Sequence, residues 1–548
     1  MHRRFFVLIS TAAALALAAN SARAELNIDE VALKAMAKFE VPGMAVGVVK
    51  DGKLIFAKGY GVRKLGEAAP VTPQTLFGIA SNTKAFTAAA LAMLVDEGKI
   101  GWDDPVCTRL PSFQLYDPIV TREITVRDLL THRCGLGLGA GDLMFFPPTK
   151  LSRSEILAKL RHVKPNTSFR SKYAYNNLMF LAAGEVIPAV TGKSWDDFIA
   201  ERIFKPLGMT ASCTNFKNYG PTTNAAYPHA LDGSVLRSVP LSPLDNNAAC
   251  GGINSNIEDA AKWTAAMLAG GKTPSGARLV SEKQAKEMWS AQTVVPIADP
   301  PAPVAATKAN FAAYGLGWFL TDYRGVKLCY HTGGLAGMVT RITLVPDKNL
   351  ALLVFTNQEV GHAFQAVTYS LLDEHLGTPT KTDWVEAFAA AKKIKDDEAN
   401  AKVAKAAARR SAASKPSLPL AKYALTLRDA WYGDVFVTEE KGKLRIKFSH
   451  SPELVGSLEH WQYDTFVARW DNRTLLADAY LTYSLNPDGS IERAKMEAVS
   501  PLTDFSYDFH DLTLTPTPPK PATKEASKKV AAKTAAAGPG KSPRGVTN

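Results

Sequence analysis

Ser81 and Lys84 stand three positions apart at the head of an apolar run, a spacing that could build a serine nucleophile with its own base. At the start of a helix, residues i and i+3 lie on one face, so hydroxyl and amine can touch. The run from Ala85 to Val95 is apolar nearly all round and ends at Asp96-Glu97-Gly98, which predicts a helix buried on every side and closed by a glycine. Burial disfavours a charged ammonium, and a neutral lysine can take a proton from a serine hydroxyl. The helix N-terminus favours negative charge developing beside Ser81. Alone, Ser-x-x-Lys is weak, since a capping serine before an exposed lysine has the same letters.

Two further segments follow in order. Tyr175-Asn176-Asn177 precedes Leu178-Met179-Phe180-Leu181-Ala182-Ala183-Gly184, a second buried-helix pattern. A tyrosine there also serves as a core aromatic with a satisfied hydroxyl. Cys329-Tyr330-His331-Thr332-Gly333-Gly334 closes a β-prone run, and its glycines let a substrate backbone approach a strand edge. The adjacent acids Asp103-Asp104 and Asp196-Asp197 make a poorer catalytic pair, because chain neighbours rarely face each other across a substrate.

Together, Ser81-Asn82-Thr83-Lys84, Tyr175-Asn176-Asn177 and His331-Thr332-Gly333 resemble the three ordered motifs of the penicillin-recognising serine hydrolases. That group includes class C type β-lactamases, D-Ala-D-Ala carboxypeptidases, D-aminopeptidases and related esterases. Ile124 to His132, Pro206-Leu207-Gly208-Met209 and Gly251-Gly252-Ile253 support the resemblance, which covers roughly residues 27 to 375. It implies acyl transfer through a covalent serine ester in an exported enzyme that cleaves amides or esters, including small peptides with D-amino acids. Ser81 attacks, Lys84 and Tyr175 manage its proton, and Asn177 holds a substrate amide and orients Lys84. The N–H groups of Ser81 and Gly334 form the oxyanion hole, with His331, Thr332 and Gly333 on the substrate-binding edge. No metal or cofactor is called for. The rival reading is a penicillin-binding-type acyl sensor or cell-wall binding protein with little turnover.

His331 departs from the lactamase pattern, which usually has lysine there. An ordinary histidine is mostly neutral at pH 7, so a stabiliser of a Tyr175 phenolate and a partner for a substrate carboxylate are both lost. The expectation is a Lys84 base with Tyr175 as relay and poor β-lactam turnover. The histidine form occurs in D-aminopeptidase-like and esterase-like members.

The net charge of +12 concentrates at the ends, with +3 in residues 1–24 and +6 in residues 516–548. The remaining +3 spread over the rest does not indicate a nucleic-acid surface. Residues 1–24 read as an export signal ending at Ala22-Arg23-Ala24, which predicts a periplasmic or secreted protein with no integral membrane segment after cleavage. Five cysteines lack metal-ligand spacing and read as small buried side chains with at most one disulfide.

The positioning elements are those of an α+β fold. Strand-like runs Met44 to Lys50 and Lys53 to Val62 flank Asp51-Gly52, and others follow at Val326 to Tyr330, Met338 to Val345 and Leu350 to Thr356. With helical patterns between them, they predict one antiparallel sheet built from both ends of a hydrolase domain over 25–380, with a helical region inserted. A solvated helix and a Ser/Pro linker fill 381–419. Residues 420–515 predict a small all-β domain, similar to the lipocalin-like domain of some of these hydrolases, and 516–548 a disordered basic tail. The β domain is expected to cover part of the pocket, and the tail to give weak cell-envelope association.

Overall fold

Asp51 and Gly52 both take positive φ (51° and 76°) and close the expected hairpin between β1 (Gly43–Lys50) and β2 (Lys53–Gly61). The computed structural model describes residues 26–517 except 217, 218, 220–222 and 379–381. The segment expected to be an export signal and nearly all of the expected tail lie outside the described residues.

The hairpin joins an antiparallel sheet with β3 (Thr293–Val294), β4 (Ala312–Tyr314), β5 (Phe319–Tyr323), β6 (Val326–Leu335), β7 (Met338–Val345) and β8 (Leu350–Thr356). The spatial order is β2-β1-β8-β7-β6-β5-β4-β3, so the two ends of the domain meet where β1 pairs with β8. Every residue of β7 and β8 is buried, because helices cover both sheet faces. α1 (Ile28–Phe39), α5 (Gly361–His375) and α6 (Trp384–Ala408) pack together on one face, and α4 (Ile257–Leu268) packs on the other. The remaining helices carry the site: α2 (Thr83–Asp96) and α3 (Leu178–Thr191) lie in the inserted region.

α6 corrects one expectation. Its alanine- and lysine-rich composition predicts a solvated helix, yet Trp384, Val385, Phe388 and Ala391 are buried against α1 and α5. Its apolar positions crowd the first two turns, where Trp384 Nε1 also donates to Asp373 at 2.9 Å. All five cysteines are free thiols, and Cys134, Cys250 and Cys329 are buried.

The C-terminal unit is an eight-stranded antiparallel barrel: β9 (Thr426–Asp429), β10 (Gly433–Glu440), β11 (Lys443–Phe448), β12 (Val455–Gln462), β13 (Thr465–Trp470), β14 (Ala479–Leu485), β15 (Ile491–Ala498) and β16 (Thr515–Pro516). The order is β15-β14-β13-β12-β11-β10-β9-β16, and an Ala494–Leu514 bridge brings the two ends together. Closure in this way leaves little exposed edge. Its interior holds Leu427, Ile446, Phe448, Trp470 and Phe509. The segment between β15 and β16 leaves the barrel and runs against the inserted helical region of the first unit.

Candidate active site

α2 is buried from Thr83 to Leu94, with Phe86 stacked on Trp263 at 4.0 Å, as its uniformly apolar sequence requires. Its polar groups tie it to the segment Ala248–Gly251: Thr87 Oγ1 donates to the Ala249 carbonyl at 2.7 Å. Ahead of the helix, Ala80 takes φ 46°, a left-handed conformation costly for a residue with a Cβ. The strained residue precedes Ser81, in a tight turn held on the sheet by Thr340 Oγ1 donating to the Ile79 carbonyl at 3.1 Å.

Lys84 has no solvent exposure. Its Nζ lies 3.0 Å from Ser81 Oγ, 2.7 Å from Asn177 Oδ1 and 3.0 Å from the Cys250 carbonyl. An ammonium donates to all three oxygens. A neutral amine keeps the two bonds to Asn177 and Cys250 and turns its lone pair on the Ser81 hydroxyl. Burial pushes Lys84 down to about 8, opposed by the nearby Cys250 and Asp142.

Asn177 stands at the N-terminus of α3, the second buried helix the sequence predicts. Lys84 Nζ sits 4.8 Å from the ring centre of Tyr175. Burial holds the Tyr175 phenol well above its ordinary pKa, and hydrogen bonding with Ser81 works against that rise. The third motif arrives on β6, where Gly333 pairs with Thr340. A Cβ on Gly333 would stand 2.1 Å from the Ile79 carbonyl, so only glycine lets the strand approach the Ser81 turn. Gly334 is exposed, with open space where a Cβ would be, and Thr332 lines the same cleft.

His331 is buried. Its Nδ1 donates to the Thr332 carbonyl at 2.7 Å, which leaves Nε2 to accept from the Tyr314 hydroxyl at 3.0 Å. Burial, with the charge of Lys84 adding, pushes it down to about 3. It is therefore a neutral ring, as its substitution for lysine suggests, and it never supplies a cation at physiological pH.

All eight residues singled out by sequence meet at one cleft of about 510 Å³; seven line it, and Lys84 lies beneath Ser81. Several neighbours carried no signal in spacing. Asp142 Oδ2 accepts from Asn177 Nδ2 at 2.8 Å and from Ser506 Oγ at 2.9 Å, and Ser506 belongs to the barrel segment. Phe505, beside it, meets the Tyr175 ring edge-on at 5.8 Å. Asp508 accepts from the Gly141 and Leu143 N–H groups at 2.5 and 3.1 Å. Asp504 and Glu359 also line the cleft. Enclosure there pushes Glu359 up to about 7, with the Asp504 charge adding, and raises Asp504 as well. His132 lies 4.2 Å from the Tyr175 ring; its place at the end of a supporting phrase was the one hint of a role.

A family model described as Beta-lactamase matches residues 28–388, and one described as a domain of unknown function (DUF3471) matches 409–516. The unguisins hydrolase ungD' of Aspergillus campestris is 33% identical over 411 residues, covering 72% of this chain and 74% of that protein. Protein flp of Staphylococcus aureus is 27% identical over 358 residues, 64% of this chain and 66% of its own length. Among solved structures, the octameric penicillin-binding protein homologue from Pyrococcus abyssi shares the fold with a TM-score of 0.57 at 21% identity, over 86% of this chain and 97% of that one. The three ordered motifs, the sheet that joins them and the match over 28–388 converge: the chain belongs to the Beta-lactamase family of serine hydrolases.

Proposed function

We propose that the protein is an exported serine hydrolase that cleaves amide or ester bonds in small peptides or esters through an acyl-enzyme on Ser81. The observation that carries the reading is the fully buried Lys84 amine 3.0 Å from the Ser81 hydroxyl. Lys84 takes the hydroxyl proton as Ser81 attacks the carbonyl. Tyr175 stays protonated and relays that proton toward the leaving group. The oxyanion forms between the N–H groups of Ser81 and Gly334, where one donor typically contributes about 3 kcal/mol to the barrier. Water then hydrolyses the ester.

The cleft walls support the choice of substrate. Among the described residues no lysine or arginine lines them, His331 is neutral, and Glu359 and Asp504 contribute carboxyl groups. A carboxylate beside the scissile bond finds no cation, whereas an ammonium or an uncharged acyl group is accommodated. Cleavage of D-aminoacyl amides or simple esters fits this wall better than β-lactamase or carboxypeptidase action. The basic and apolar segment over 1–24 supports export, and with it a periplasmic or secreted location. Among the described residues no helix is long and apolar enough to cross a membrane.

The test is a panel of D- and L-aminoacyl amides, p-nitrophenyl esters and a chromogenic cephalosporin. Turnover of amides or esters with little cephalosporin hydrolysis is expected; a cephalosporin rate matching that of dedicated lactamases refutes the reading of the His331 wall.

The pH dependence is fixed in direction by Lys84. The amine must be neutral to accept the proton, and its neutral fraction grows with pH. kcat/KM therefore rises along an acid limb near pH 8, where burial has set Lys84. No histidine limb is expected near 6.5, because His331 and His132 are both held neutral by burial. A rate profile governed by a group titrating at 6 to 7 would assign the base elsewhere.

A further inference from the structure

The base is the end of a chain of hydrogen bonds that starts in the other domain. Ser506 Oγ donates to Asp142 Oδ2, which also accepts from Asn177 Nδ2, while Asn177 Oδ1 accepts from Lys84 Nζ. Each of the four side chains is buried. An amide can be turned end for end at little steric cost, and only its partners decide which end faces which neighbour. Among the described residues, the acceptor that Asn177 Nδ2 meets is the Asp142 carboxylate. As long as that group accepts, the Asn177 carbonyl must point at Lys84.

We propose that Ser506 of the C-terminal barrel is a positioning residue for hydrolysis: through Asp142 it fixes Asn177 with its carbonyl toward Lys84 and so governs the base of the other domain. This rests on the acyl-enzyme reading and adds a residue from outside the Beta-lactamase match. The hydroxyl has an electrostatic consequence besides the orientation. Burial pushes Asp142 up to about 8, and the bonds from Asn177 and Ser506 work against that rise. Its carboxylate charge in turn helps Lys84 hold its proton. The other groups in this field are Asp504 and Asp508 facing Asp142, and Cys250, Tyr175, His132 and His331 around Lys84.

The sign follows. Without the Ser506 hydroxyl, Asp142 is protonated more readily, its charge near Lys84 falls, and Lys84 loses its proton at lower pH. Ser506→Ala is expected to move the acid limb down by roughly 0.3–1 pH unit. Asp142→Asn, which keeps an acceptor for Asn177 but removes the charge, shifts it the same way by at least as much. If Ser506 acts through Asp142, the double variant matches Asp142→Asn alone. Ser506→Thr, which retains a hydroxyl, restores the wild-type limb.

The measurement is the second-order rate of Ser81 labelling by a fluorophosphonate across pH 5.5 to 10 on the full chain, with thermal unfolding as the check on folding. A wild-type label that does not depend on Ser81 removes the acyl-enzyme reading and this inference with it. A Ser81-dependent label whose limb stays in place in Ser506→Ala, or whose Ser506→Ala and Asp142→Asn shifts add, overturns the inference alone. A merely structural contact would lower the rate evenly at every pH.

Discussion

Ser81→Ala is expected to reduce turnover of any amide or ester substrate by about 10⁴-fold or more, and to abolish labelling by a fluorophosphonate. The size follows from the proposed chemistry: the variant removes the atom that forms the bond to the acyl carbon. Tyr175 and Cys250 are both held protonated, the thiol by burial that pushes it up to about 12. The fold has little reason to respond. Ser81 is only partly buried, and Lys84 keeps Asn177 and the Cys250 carbonyl as acceptors. Mass spectrometry after labelling, beside a thermal unfolding curve, checks both halves. A covalent adduct on the folded variant at the wild-type rate would show that another residue is the nucleophile.

Lys84→Met is the second large effect, and its two readouts diverge. Loss of the general base should cost about 10²–10⁴-fold in kcat. Stability should change far less. The fall of Lys84 from 10.5 to about 8 means burial disfavours the charged form by about 3 kcal/mol, which methionine avoids. Against this, the Asn177 and Cys250 oxygens lose their donor, at about 1–3 kcal/mol each. The opposing contributions are similar in size, so unfolding free energy is expected to stay within about 2 kcal/mol of wild type. Residual activity that still rises along a limb near pH 8 would rule Lys84 out as the titrating base.

What the sequence made legible was local. Asp51-Gly52 announces a hairpin because few dipeptides accept two positive φ angles, and the runs Met338–Val345 and Leu350–Thr356 are strands at the expected bounds. Ser81, Lys84, Tyr175 and Asn177 were legible because each lies beside a helix start whose apolar pattern is unmistakable. Strands β12 and β13 were missed: Val455–Gln462 mixes Gly, Ser, Glu and His with its apolar residues, and only pairing within the barrel settles its conformation. Asp142 and Ser506 were illegible for a different reason. No period links them, and their partnership depends on how two separately patterned units dock. The burial of Trp384 and Phe388 fails in the same way, since their covering surface comes from α1 near the opposite end of the domain.

The bond between Asp142 and Ser506 joins residues 364 positions apart. Closing so long a loop is slow compared with forming a helix, and it waits on nearly all of the barrel. A nascent chain that has emerged only as far as Pro419 already carries hydroxyl, amine and phenol, yet lacks one wall of the chamber and the last link to its base. Completion of the cleft thus falls to the last strands of the barrel, which bring in the Ser506 bond to Asp142.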